Sequence, residues 1–181
     1  MITAEVLQKV MLFALKKHKG QIRKGDGRPY IMHCMSVMTK LRGIKKSKNA
    51  FLLAAGSMLH DTKENCGVSI KKISKKFGPQ VAALVEEVST DKVLCKAMGK
   101  GKYLAEKMIK MSHYALTLKL VDRWDNVEDL VDVTEEFRTK YIEETKYIIS
   151  ELELKRPNLS KTQLKIIENI KQVYEPKITA N

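Results

Sequence analysis

The chain has 181 residues, 44% of them hydrophobic, which suits one ordinary globular core and excludes a disordered polypeptide. No run of about 18 apolar residues offers a membrane span, and Met1-Ile2-Thr3-Ala4-Glu5 lacks the basic and apolar regions of a secretory leader. A net charge of +13 implies an anionic partner, or a field that steers an anionic substrate, without saying which anion; nucleic acid stays open as a partner. Cys34, Cys66 and Cys95 form no CxxC pair, so they read as reduced thiols in a cytoplasmic protein.

Helical periodicity dominates, and no alternating run is long enough to argue for a sheet. From Ala4 to Lys17, Leu7, Val10, Met11, Ala14 and Leu15 share one helical face. A charged, glycine-bearing loop spans His18 to Pro29, and a helical pattern resumes from Tyr30 to Leu41. Asn49 is a candidate N-cap for Ala50–Leu59, a nearly all-apolar and therefore deeply buried helix that ends in His60-Asp61. Ser69 caps a short amphipathic helix that Gly78 terminates, and Pro79 opens the next. The lysine-studded stretch from Asp91 to Lys102, with Gly99 and Gly101, is expected to be mobile. Helices are expected over Tyr103–Ser112, His113–Leu130 and Thr134–Leu154. After Arg156-Pro157, Ser160 and Gln163 make a capping box for a last helix, to about Tyr174. The fold class expected is a compact all-α bundle, residues 1–154, with an additional C-terminal helical extension, 155–181.

His60-Asp61 alone is a weak signal, but its context sharpens it. The pair closes a buried helix, Asp122 closes the apolar run Leu116–Val121, and His33 lies on the apolar side of a third helix. Polar side chains in such places need a partner. Two imidazoles and two carboxylates form a mixed nitrogen and oxygen set suited to one divalent ion such as Mn²⁺, Fe²⁺, Zn²⁺ or Co²⁺. Four protein ligands leave positions open for water and a phosphate oxygen. His18 and His113, beside lysines at helix ends, read as surface imidazoles.

The ordered motifs resemble a known family. His18-Lys19-Gly20-Gln21-Ile22-Arg23-Lys24 with Pro29-Tyr30-Ile31-Met32-His33 is similar to the opening of the RelA/SpoT hydrolase domain and its small relatives, an HD-domain branch. The likeness continues in Leu59–Asn65 and Phe77–Val85, and it closes in Leu118-Lys119-Leu120-Val121-Asp122-Arg123-Trp124-Asp125-Asn126. It implies Mn²⁺-dependent removal of pyrophosphate from the 3′ position of guanosine tetra- and pentaphosphate. The implied metal ligands are His33, His60, Asp61 and Asp122. Arg23 matches the arginine that holds substrate near the guanine, Glu64 an acidic residue that assists catalysis, and Asn126 an asparagine near the nucleotide sugar.

Two departures stand out. Asn65 occupies the second acidic position, where an amide can hydrogen-bond but cannot exchange a proton at neutral pH. Trp124-Asp125 replaces the common Leu-His, close to the expected site. The expected chemistry is metal-assisted hydrolysis of a phosphorylated nucleotide, with Glu64 and Asn65 at the water. Arg23, Lys24, Lys63 and, more weakly, Lys92, Lys96, Lys100 and Lys102 are expected at the phosphates, with Tyr30 as a substrate contact or loop anchor. The alternatives are an HD phosphohydrolase for another small phosphate ester, and a nucleotide- or nucleic-acid-binding HD module with little catalysis.

Overall fold

A computed structural model describes residues 3–44 and 49–175, and every regular element among them is a helix. Among the described residues the one β-like contact is a bridge between Ile22 and Pro29 in the loop that follows the first helix. In chain order the helices are α1 (Ala4–Lys17), α2 (Ile31–Ile44), α3 (Ala50–Leu59), α4 (Thr62–Cys66), α5 (Ile70–Phe77) and α6 (Pro79–Val88). They continue as α7 (Lys92–Met98), α8 (Lys100–Lys110), α9 (His113–Glu128), α10 (Glu135–Lys155) and α11 (Lys161–Tyr174).

The local signals explain most boundaries. Thr3, Ser69, Ser112, Thr134 and Ser160 each accept a hydrogen bond from a backbone N–H of the first turn they precede. At Ser160 the box closes from both sides with Gln163. Gly78, at φ +94°, ends α5 in a conformation that an L side chain rarely adopts, and Pro79 starts α6 directly behind it.

Two expectations need correction. The segment 91–102 is helical: the Asp91 carboxylate accepts from the N–H groups of Val93 and Leu94 at 2.9 and 3.0 Å, and Gly99 separates α7 from α8. Nothing in α7 is fully buried, and only Cys95 and Met98 pack against the core, which makes its apolar stripe too short for periodicity to detect. Asn49 does precede α3, but its side chain does not cap it; the amide donates to the Tyr114 hydroxyl at 2.7 Å.

Helix α3 is the buried centre, as its all-apolar sequence requires: every residue from Leu53 to Leu59 is buried. It packs against α1, α2, α6 and α9. A Cβ on Gly56 would stand 2.6 Å from Leu84 Cδ2, so the glycine permits the close approach of α3 to α6. Helix α9 is the second hub, and α11 lies along it with Ile166, Ile167 and Ile170 in the same core as Leu116, Leu118 and Leu120. The start of α2, the end of α3 and the middle of α9 therefore meet inside the molecule. No helix among the described residues is long and apolar enough to cross a membrane.

Candidate metal centre

That meeting point holds four titratable side chains. His33 comes from the first turn of α2, His60 caps the C-terminus of α3 with Asp61 next to it, and Asp122 projects from α9. The two Nε2 atoms face each other at 3.2 Å. Asp122 Oδ1 lies 3.2 Å from His33 Nε2 and 3.6 Å from His60 Nε2. Asp61 Oδ2 lies 3.2 Å from His60 Nε2 and 3.8 Å from His33 Nε2. His33, His60 and Asp122 are all buried, with ligand atoms within 4.8 Å of one another. Asp61 sits at the edge of this trio, its carboxylate also accepting from the Tyr30 hydroxyl.

The partners behind the imidazoles decide whether the group suits a cation. His33 Nδ1 meets an Asp125 carboxylate oxygen at 2.6 Å, and His60 Nδ1 meets the Ser57 carbonyl at 2.7 Å. Neither partner can donate, so each Nδ1 carries a hydrogen, and each Nε2 is the atom left to offer a lone pair to a cation. Two Nε2 atoms facing each other at 3.2 Å need positive charge between or beside them, a proton or a metal ion. Outward N–H groups tied to acceptors, with inward lone pairs beside carboxylates, are the donor arrangement of a metal site. The residues fit a divalent ion.

The electrostatics agree. Burial disfavours the charged form of His60, but the carboxylates of Asp61 and Asp122 overcome this and hold it well above the usual imidazole range. His33 is raised in the same way, against burial, by hydrogen bonds to Asp122 and Asp125. Burial works against ionised Asp122 as well, but the Lys119 ammonium, 3.0 Å away, and the two imidazoles hold its carboxyl far below the usual range. The pocket is built to contain positive charge.

Beside these residues opens a cavity of about 660 Å³ whose wall includes Arg23, Lys24, Tyr30, Glu64, Asn65 and Asn126. Glu64 accepts from the Thr90 N–H at 2.7 Å, which fixes its carboxylate at the rim. Asn126 donates to Asp122 Oδ1 at 2.7 Å and so also steadies a candidate ligand. Lys24 is exposed at the mouth. Lys63, Lys92, Lys96, Lys100 and Lys102 are not part of this wall; Lys92 instead donates to the Glu64 carbonyl at 3.2 Å, and Lys100 pairs with Glu144 at 3.2 Å.

Several positions differ from the sequence reading. His18 is not a surface imidazole: it is 2% exposed, stacks on Tyr30 at 5.1 Å and meets Gln21 Oε1 at 2.7 Å. The chain turns inward at the C-cap of α1, which lysine neighbours do not reveal. His113 is exposed, as expected. Arg23 is not a bare cation; it pairs with Asp129 at 2.6 Å and Asp125 at 3.1 Å. Trp124 packs against the core with Lys40 over its ring at 5.3 Å, and Asp125 lies behind His33; neither forms part of the cavity wall. Of the supporting residues, Asp125 stood out only as a departure near the expected site, and Lys119, Ser36 and Lys40 were not legible as site residues. The one available signal was the spacing of three from Asp122 to Lys119 and to Asp125, which puts them beside it on α9. All three cysteines are free, and burial pushes the Cys34 thiol up to about 12, so it stays protonated.

An all-helical bundle that gathers a His-Asp dipeptide, a second histidine and a distant aspartate around one cation pocket defines the HD domain. The chain matches the HD domain family over residues 11–156 and belongs to it. Among curated relatives, it is 34% identical to the guanosine-3′,5′-bis(diphosphate) 3′-pyrophosphohydrolase MESH1 of Drosophila melanogaster, over 88% of this chain and 90% of that protein. It is 37% identical to MESH1 of Homo sapiens over 68% of this chain and 69% of that one. It is 35% identical to a guanosine-3′,5′-bis(diphosphate) 3′-pyrophosphohydrolase of Aquifex aeolicus over 82% of its length, but spans only 21% of that longer protein. A solved structure described as a metazoan orthologue of SpoT that hydrolyses ppGpp superposes with a TM-score of 0.80, at 26% identity, over 97% of this chain and 98% of that one.

Proposed function

We propose that this protein is a metal-dependent guanosine 3′,5′-bis(diphosphate) 3′-pyrophosphohydrolase, adding water to release pyrophosphate from the 3′ position and leave GDP. The observation that carries the reading is the pair of inward-facing Nε2 atoms at 3.2 Å, flanked by Asp61 and Asp122 at the side of a nucleotide-sized cavity. Similarity to the Drosophila MESH1 protein over 88% of this chain and 90% of that one supports the substrate. His33, His60, Asp61 and Asp122 would hold one divalent ion, Mn²⁺ in this reading. When bound, such an ion supplies an acidified water and offsets charge on the phosphoryl oxygens. The catalytic unit is residues 1–154, with 155–181 as its extension.

The chain's own groups divide the remaining work. Glu64, held by the Thr90 N–H, orients the attacking water and accepts its proton. The Asn65 amide, on the same wall, hydrogen-bonds water or phosphate but carries no proton away. Arg23, fixed by Asp129 and Asp125, offers a pre-oriented guanidinium, and Lys24 at the mouth adds charge for the departing pyrophosphate. Tyr30 lines the cavity while its hydroxyl steadies Asp61. Asn126, which steadies Asp122, faces the sugar. Lys63 takes part only as a remote cation.

Incubating the protein with guanosine 3′,5′-bis(diphosphate) and Mn²⁺, then separating products by chromatography, tests the proposal; GDP and pyrophosphate in equal amounts are expected. The amide of Asn65 on the cavity wall favours a second reading, hydrolysis of another phosphorylated nucleotide. That reading prevails if the alarmone is left intact while other nucleotides are cleaved.

A further inference from the structure

Asp125 follows Asp122 by three residues on α9, so both carboxylates project from one side of the helix. They do opposite jobs. Asp122 faces the two Nε2 atoms, whereas Asp125 takes His33 from behind: its Oδ2 accepts from His33 Nδ1 at 2.6 Å and from Arg23 Nη1 at 3.1 Å. Its Oδ1 accepts from Ser36 Oγ and Lys40 Nζ, which lie along α2 from His33 itself. A carboxylate 6% exposed is costly to bury, and here donors engage both of its oxygens. The other imidazole has no such partner, since His60 Nδ1 meets only the neutral Ser57 carbonyl.

We infer that Asp125 is a positioning residue for the metal centre, fixing the tautomer and ring plane of His33 and tying that ligand to Arg23 on the cavity wall. The inference rests on the metal reading above and deepens it. A charged acceptor makes an imidazole a stronger donor than a carbonyl does, so His33 becomes the more tightly held and more electron-rich of the two ligands. The departure at this position from the common histidine therefore acts on the metal from outside the cavity. Asp125 does not line the cavity that holds Glu64, Asn65 and Asn126; with His33 it lines the neighbouring cleft.

The test uses the full chain with Mn²⁺ alone as probe. Binding is read by isothermal titration, and the ring nitrogens of His33 by ¹⁵N–¹H correlation in metal-free protein. Wild type should show His33 protonated at Nδ1. Asp125→Asn should keep its fold yet bind Mn²⁺ about 10–100-fold more weakly, the usual loss when an outer-shell partner is removed. Lys40→Met, which strips one donor from Asp125 but leaves its bond to His33, should lose less affinity than Asp125→Asn. Equal losses in Lys40→Met and Asp125→Asn would reduce Asp125 to a structural role and overturn the inference. So would wild-type affinity in Asp125→Asn, or His33 carrying its hydrogen at Nε2 and none at Nδ1 in wild type, a measurement that decides the matter even if Asp125→Asn fails to fold. Wild type that binds no Mn²⁺ would remove the metal reading and the inference together; wild type that binds while Asp125→Asn binds equally well removes the inference alone.

Discussion

Replacing Lys119 by methionine isolates the charge that the pocket provides for itself. Lys119 Nζ lies 3.0 Å from Asp122 Oδ2, with side chains 13% and 9% exposed. Unit charges at that separation attract by about 5–6 kcal/mol at an effective dielectric constant of about 20. Removing one member of such a buried pair costs about 3–5 kcal/mol. For a domain of this size that corresponds to a fall of about 6–20 °C in Tm. The loss should be largest without metal, when Asp122 has only the imidazoles for company. A bound divalent ion restores the missing positive charge, so Mn²⁺ should raise the Tm of Lys119→Met by more than that of wild type. Urea and thermal unfolding, each with chelator and with Mn²⁺, measure both quantities. A metal-free loss under about 1 kcal/mol, or identical gains from Mn²⁺ in the two proteins, would show that Lys119 and the metal do not share the task of neutralising Asp122.

Asn65→Asp should raise alarmone turnover by about tenfold or more if the amide is the limiting group, since a positioned acid–base side chain contributes about 10²–10⁴-fold; an unchanged kcat for pyrophosphate release would count against Asn65 standing near the water. His33→Ala should lose the ion on metal analysis of the purified protein while retaining a helical circular dichroism spectrum. In wild type, saturation with Mn²⁺ at about 100 times Kd should add about 2.7 kcal/mol to the unfolding free energy, and denaturant melts that coincide with and without metal would contradict a folded-state site. Gly56→Val should cost about 1–3 kcal/mol through overpacking against Leu84 and Leu118, an outcome read as a lower urea midpoint and refuted by wild-type stability.

Patterns repeated along the chain were the easiest to read. The apolar faces of α1, α3 and α9 and the caps at Ser69 and Ser160 follow from neighbours within a turn or two, and the helices stand where those patterns put them. His33, His60 and Asp122 could be picked out for a related reason: a polar group in an apolar background is conspicuous before its partners are known. The residues that hold those groups in place were not conspicuous. Lys119 and Lys40 are charged residues in a chain full of charges, and only tertiary contact separates them from a solvated surface; Asp125 stood out as a departure from the family pattern, but nothing in the sequence put it behind His33. His18 failed for the same reason, because its burial depends on Tyr30 and Gln21 folding over it. Helix α7 was missed because its stop and start signals, Asp91 and Gly99, stood among glycines and lysines that also describe a loose segment.

The match to the HD domain family model ends at residue 156, yet the helix beyond it is no appendage. Gln163 reaches back to the His113 carbonyl at 3.1 Å and the Thr117 hydroxyl at 3.3 Å, and three isoleucines of α11 rest on the helix that carries Asp122. Trimming the chain where the resemblance ends would strip the outer wall from that helix and leave its greasy flank wet. A minimal version of this protein suited to crystallisation or engineering has to keep residues through at least Tyr174.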